Sequence, residues 1–117
     1  MKNIVLPDKK ERSLAFYLAM EEYVARVVDG DSFFVWRVSP TVIIGRNQDL
    51  EAEVNLDYCR SHDVKVVRRK SGGGCVYSDM GNIMISYVSE RGQVSEVFER
   101  YLSALTVCLR SLGLDAE

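Results

Sequence analysis

The chain has 117 residues, 47% hydrophobic and 27% charged, with a formal net charge of -2. This is the composition of one ordinary globular unit, and the charge gives no general attraction to nucleic acid or to an anionic membrane. No apolar run approaches the roughly 20 residues of a membrane span, and Met1-Lys2-Asn3-Ile4-Val5-Leu6-Pro7-Asp8 turns polar too soon for a signal peptide, so the expected location is cytoplasmic.

In chain order, the first predicted element is a helix over Leu14 to Val27. Ser13 is its N-cap, and Phe16, Ala19, Met20, Tyr23 and Val27 recur at three- and four-residue steps as one apolar stripe. Asp29-Gly30-Asp31 ends it. Phe33 to Val38 and Thr41 to Ile44 read as strands, separated only by Ser39-Pro40, which predicts a hairpin. Asn55 caps a helix over Leu56 to His62, and a strand over Val64 to Arg68 follows. Cys75-Val76-Tyr77 and Asn82 to Ser89 are strand-like. The last helix holds Val94, Val97, Phe98, Tyr101, Leu102, Leu105, Cys108, Leu109 and Leu112 on helical spacing, and Gly113 ends it. The order α-β-β-α-β-β-β-α predicts a mixed α+β sheet with helices on one face. No closing strand follows the last helix, so this sheet would keep an open edge; the expectation is part of a larger domain.

The stretch that carries chemistry is Arg68-Arg69-Lys70-Ser71-Gly72-Gly73-Gly74, with Cys75-Val76-Tyr77-Ser78-Asp79-Met80-Gly81-Asn82 after it. Three glycines leave backbone N–H groups open to close approach, and successive N–H groups in a tight turn can form an anion nest. Arginine beside them can grip phosphate or carboxylate. The bland alternatives are a flexible loop and a solvated charge run. The order Lys70-Ser71-Gly72 is the reverse of a Walker ending, and strand-like residues follow the glycines where a dinucleotide fingerprint would open a helix. A strand alternates faces, so Arg68 and Arg69 point opposite ways, one toward a ligand and the other toward solvent or the opposite sheet face, where an exposed charge contributes little.

Cys59, Cys75 and Cys108 are widely spaced, with no Cys-x-x-Cys pair, which predicts neither a disulfide framework nor a metal site. Cys59 and Cys108 are expected as small apolar fillers. Cys75 has no histidine near it in sequence to activate it, because His62, the one histidine, lies in another segment.

Tyr17-Leu18-Ala19-Met20-Glu21-Glu22, Trp36-Arg37, Val42-Ile43-Ile44-Gly45-Arg46-Asn47 and the stretch from Arg68 to Asn82 resemble the lipoate–protein ligase A family, in order and spacing. The resemblance implies a lipoyl/biotinyl ligase catalytic fold related to the class II synthetase core. That fold is α+β, a mixed, largely antiparallel β-sheet with packed helices, incomplete in this chain. It also implies ATP-dependent activation of lipoate to lipoyl-adenylate, with Mg2+, and transfer of the acyl group to a lysine of a lipoyl carrier domain. Carriers of this kind belong to 2-oxoacid dehydrogenase complexes or are the glycine cleavage H protein; neither nucleic acid nor membrane is an expected partner.

By position, Arg69, Ser71, Gly72, Gly73, Gly74, Val76, Tyr77, Asp79 and Asn82 would hold the adenylate, and Trp36, Arg37 and Gly45 would surround the lipoyl tail. Trp36 and Tyr77 have a core role as their alternative, and Asp79 and Asn82 that of ordinary turn residues. One of Glu21 and Glu22 is expected in solvent, the other on a neighbouring loop or Arg37. Ser78 stands where many members of the family have histidine. The family's essential lysine corresponds to a position beyond residue 117. Residues 1–117 are therefore expected to be the N-terminal part of the catalytic domain, inactive alone. The rival readings are an octanoyl or lipoyl transferase of the same superfamily and a non-catalytic module that binds lipoate or a nucleotide.

Overall fold

The computed structural model describes residues 1–90 and 92–117. Strand β1 (Lys2–Asn3) precedes helix α1 (Leu14–Val27). The Ser13 hydroxyl accepts from the Phe16 N–H at 3.4 Å, so α1 starts where its cap predicts. Its buried face is Leu14, Tyr17 and Val24. The expected stripe is displaced around the helix: Phe16, Tyr23 and Val27 are exposed. Leu18 and Met20 flank the buried face instead.

Strands β2 (Ser32–Trp36) and β3 (Thr41–Ile44) follow, then the short helices α2 (Leu50–Glu53) and α3 (Leu56–Ser61). Strands β4 (Lys65–Arg68), β5 (Val76–Ser78) and β6 (Met84–Val88) precede helix α4 (Val94–Ser111). Asn55 caps α3 as expected, its side chain accepting from the Tyr58 N–H at 3.0 Å.

The strands form two three-stranded sheets, β1-β2-β6 and β4-β3-β5, each with one parallel and one antiparallel pair. The expected β2–β3 hairpin is not formed. Both edges of β2 are taken, by β1 and β6, and both edges of β3 by β4 and β5. The parallel β3–β4 pair is reached through α2 and α3, the long crossover that parallel pairing needs.

Alternation on β3 divides the core. Ile43 packs with Leu14, Tyr17, Phe34, Trp36 and Val38, on the α1 side. Ile44 packs with Val54 and Cys59, on the side of α2 and α3. Helices therefore cover both faces of this sheet, where the sequence led us to expect one.

Helix α4 contributes no buried residue. Cys108, expected as a filler, is exposed. Tyr101 stacks on Tyr87 with ring centroids 5.3 Å apart, and Arg100 pairs with Asp31 at 3.2 Å. Asp31 also accepts from the Tyr87 hydroxyl at 2.5 Å and the Ser89 hydroxyl at 2.7 Å. These bonds, with Arg100, hold its carboxyl below the usual range. Among the described residues, no helix is long and apolar enough to cross a membrane.

Candidate functional site

Because β3 and β4 are parallel, their C-terminal ends leave the sheet at one edge. The turn after β3, Gly45 to Gln48, therefore lies against the glycine loop after β4. The Arg69 N–H continues the ladder to the Ile44 carbonyl at 3.0 Å, and the Arg46 N–H donates to the Ser71 carbonyl at 2.9 Å. Gly45 is buried. A Cβ there would collide with the Gly73 carbonyl oxygen, so this close approach requires glycine. Gly73 has φ +95°, a left-handed value that side-chain-bearing residues resist.

Arg69 holds the loop from its carbonyl side. Its Nη2 donates to the carbonyls of Gly72 at 2.7 Å and Gly74 at 2.8 Å, and its Nη1 to that of Ile43 at 3.3 Å. Within the described residues, none of the N–H groups of Gly72, Gly73 and Gly74 donates a hydrogen bond. The Gly72 and Gly74 carbonyls are tied to a guanidinium, while the three N–H groups have no acceptor among the described residues. That polarity suits an anion.

A groove of about 370 Å³ runs from the loop along α1, walled by Ala15, Leu18, Ala19 and Val67, with Arg69 and Ser71 at the loop. On its exposed rim, Lys70 Nζ lies 2.6 Å from Glu22 Oε1. The Lys70 hydrogen bond and charge hold the Glu22 carboxyl below its usual value. Glu21 instead accepts from the Ser86 hydroxyl at 2.5 Å, and Ser86 accepts from the indole N–H of Trp36 at 2.8 Å. Neither carboxylate meets Arg37.

The structure thus brings together Gly45, Arg69, Ser71, Gly72, Gly73 and Gly74. The other expected residues are spread more widely. Trp36 is buried, stacked on Tyr17 with centroids 4.7 Å apart. Arg37 is exposed on a second groove, of about 820 Å³, with the N-terminal segment. Val76 pairs with Ile43, and Tyr77 pairs with Val42 one residue on, facing the other way. The Tyr77 hydroxyl donates to Asp79 at 3.2 Å. Its pKa is raised by desolvation and by Asp79. Asp79 and Asn82 close the next turn on each other: the Asp79 N–H reaches Asn82 Oδ1 at 3.0 Å, and the Asn82 N–H the Asp79 carbonyl at 3.0 Å. Ser78 is buried, its hydroxyl without a partner among the described residues. Among those residues, no group of three or more His, Cys, Asp or Glu is placed to hold a metal.

Arg68 is exposed and lies on the face opposite Arg69, as alternation predicts, but it is not idle there. Its Nη1 donates to three backbone carbonyls of the turn, Gly45 at 2.9 Å, Arg46 at 3.2 Å and Gln48 at 2.7 Å. Backbone acceptors leave no signal in residue types, so the sequence could not announce this.

The pattern of the lipoyl protein ligase A/B catalytic domain family matches residues 13–117. Lipoate--protein ligase 1 of Staphylococcus aureus is 40% identical over 103 residues, covering 86% of this chain and 31% of that protein. Lipoyl amidotransferase LIPT1 of Mus musculus is 50% identical over 58 residues, 50% of this chain and 16% of that protein. A crystal structure of lipoate-protein ligase A bound with ATP superposes with a TM-score of 0.83 at 32% identity, over 97% of this chain and 47% of that one. The chain therefore spans about a third of that ligase relative's length, and under half of the superposed structure.

Proposed function

The chain belongs to the lipoyl protein ligase A/B catalytic domain family, and on that premise we propose that it is the N-terminal part of the catalytic domain of an ATP-dependent lipoate–protein ligase. The complete protein would activate lipoate to lipoyl-adenylate and pass the acyl group to a lysine of a lipoyl carrier domain, of a 2-oxoacid dehydrogenase complex or of the glycine cleavage system. We place it in the cytoplasm.

The observation that supports this most is the polarity of the glycine loop. The carbonyls of Gly72 and Gly74 are held by Arg69, and the N–H groups of Gly72, Gly73 and Gly74 have no acceptor among the described residues. An acyl-adenylate needs donors at its phosphate and carbonyl, where charge develops in adenylyl transfer. The adjoining groove has the complementary character. Ala15 and Ala19 leave room on α1, and Leu18 and Val67 make the walls apolar. A volume of about 370 Å³ lies at the lower end of small-molecule sites, about 300–1,000 Å³. We assign the lipoyl chain to this groove, its carboxyl end at Ser71 and Arg69.

ATP, which the structurally similar ligase binds, supplies the adenylyl group. Mg2+ would travel with its phosphates. Tyr77, Asp79 and Asn82 are assigned to the adenylate side, with Val76 between them and the loop. Trp36, stacked on Tyr17, does not line this groove; both rings border the second groove, with Arg37.

The similarity to a lipoyl amidotransferase supports a second reading, transfer of a lipoyl group between carriers without ATP. The test is incubation of the complete protein and an unmodified carrier domain with either free lipoate or a second, already lipoylated carrier, each with and without ATP. Lipoylation that requires ATP is expected. Lipoylation only from an already lipoylated carrier would favour the second reading.

A further inference from the structure

We propose that Arg68 is a positioning residue for the glycine loop, acting through the Gly45 to Gln48 turn. The proposal rests on the reading of that loop as the adenylate site.

Arg68 stands opposite Ile44 in the β3–β4 register, so its side chain leaves the sheet on the α2 side; the residue is exposed and also borders the groove along α1. It makes none of the Arg69 contacts to Gly72 and Gly74. Its Nη1 sits among the carbonyls of Gly45, Arg46 and Gln48. The turn is further closed by Gln48, whose Oε1 accepts from the Gly45 N–H at 2.8 Å and whose N–H donates to the Gly45 carbonyl at 3.2 Å.

The turn in turn sets the loop at two points. The Arg46 N–H donates to the Ser71 carbonyl, and the bare Cα of Gly45 is the surface on which the Gly73 carbonyl rests. The two neighbouring arginines thus form a bracket. Arg69 fixes the loop directly, and Arg68 fixes the wall behind it. If the turn moves, Ser71 and Gly73 lose their stops and the loop N–H groups lose a fixed geometry. Preorganised donors bind more tightly than donors that must be ordered on binding.

The test uses the complete protein and two variants of it, Arg68→Met, which keeps the stem and removes every donor, and Arg68→Lys, which returns three donors on one nitrogen. Amide hydrogen exchange is measured without ligand, and affinity for a stable lipoyl-adenylate analogue by calorimetry. In Arg68→Met, exchange at the Arg46 N–H should accelerate at least about tenfold while the Arg69 N–H, in the sheet ladder, keeps its protection. Analogue affinity should fall about tenfold. Arg68→Lys should recover most of both losses, and high salt should not mimic Arg68→Met in the wild type. Should Arg68→Met fail to fold, Gln48→Met removes the acceptor of the Gly45 N–H and should give the same exchange pattern. Unchanged exchange at Arg46 overturns the proposal whatever the affinity. Accelerated exchange with undiminished analogue affinity also overturns it. Failure of the wild type to bind the analogue, with exchange behaving as stated, overturns the adenylate reading instead.

Discussion

The carbonyl oxygen of Gly73 occupies the space in which a Cβ on Gly45 would stand. Two loops that follow different strands therefore meet backbone to backbone. Gly45→Ala must push the glycine loop outward or strain the turn. Overpacking of this kind costs about 1–3 kcal/mol. We expect a lowered urea midpoint with unchanged m-value, and weaker binding of an acyl-adenylate analogue. An alanine variant with wild-type midpoint and affinity would show that the loops do not touch in solution.

Trp36 is a structural partner before it is a ligand contact. Its indole N–H is held by Ser86, which is held by Glu21. Trp36→Phe leaves Ser86 short of one buried donor, a loss of about 1–3 kcal/mol. Equilibrium urea unfolding should show this, while analogue affinity changes less than twofold. A large affinity loss at unchanged stability would place the indole in the lipoyl slot.

Ser78 carries a buried hydroxyl with no partner among the described residues. Ser78→Ala removes no hydrogen bond, so stability should stay within about 0.5 kcal/mol or rise. Ser78→His, which restores the residue the family resemblance leads one to expect, adds volume at a position 3% exposed and should destabilise by about 1–3 kcal/mol. Thermal melts of both variants decide it; a stabilised histidine variant would mean the site is already shaped for the ring.

The Glu22–Lys70 pair ties α1 to the loop across the groove rim. Lys70 lowers the Glu22 pKa, so the tie is complete above the unfolded glutamate pKa and is lost as pH falls through the lowered folded value. Both side chains are largely exposed, so global stability should barely follow. Carbon-13 titration of the Glu22 carboxyl should give a midpoint below the ordinary value, returning toward it in Lys70→Ala. The same midpoint in both proteins would show that the pair does not persist.

Local signals were legible in the sequence, and long-range pairing less so. Ser13 and Asn55 announced two helix starts because a cap is a side chain bonding two or three residues ahead. Ser39-Pro40 reads locally as a hairpin turn, but β2 pairs with β1 and β6 and β3 pairs with β4 and β5, a choice of distant partners that leaves no signal in the residues between β2 and β3. The apolar stripe of α1 was misplaced because Phe16, Tyr23 and Val27 are apolar yet exposed. At the site, the glycines and Arg69 were visible as residue types. The role of Arg68 was not, because its partners are carbonyls that any residue carries.

In the proposed ligase, the N–H groups of Gly72, Gly73 and Gly74 receive the acyl-phosphate of lipoyl-adenylate, with the lipoyl chain along α1. Nitrogen-15 NMR titration of the complete protein with a stable lipoyl-adenylate analogue is the decisive measurement. Saturable shifts are expected at the three glycine amides, together with Ser71, Ala15, Ala19 and Val67, with little change at Arg37. Saturable shifts confined to the groove around Arg37 and the N-terminal segment, with the glycine amides unmoved, would contradict it.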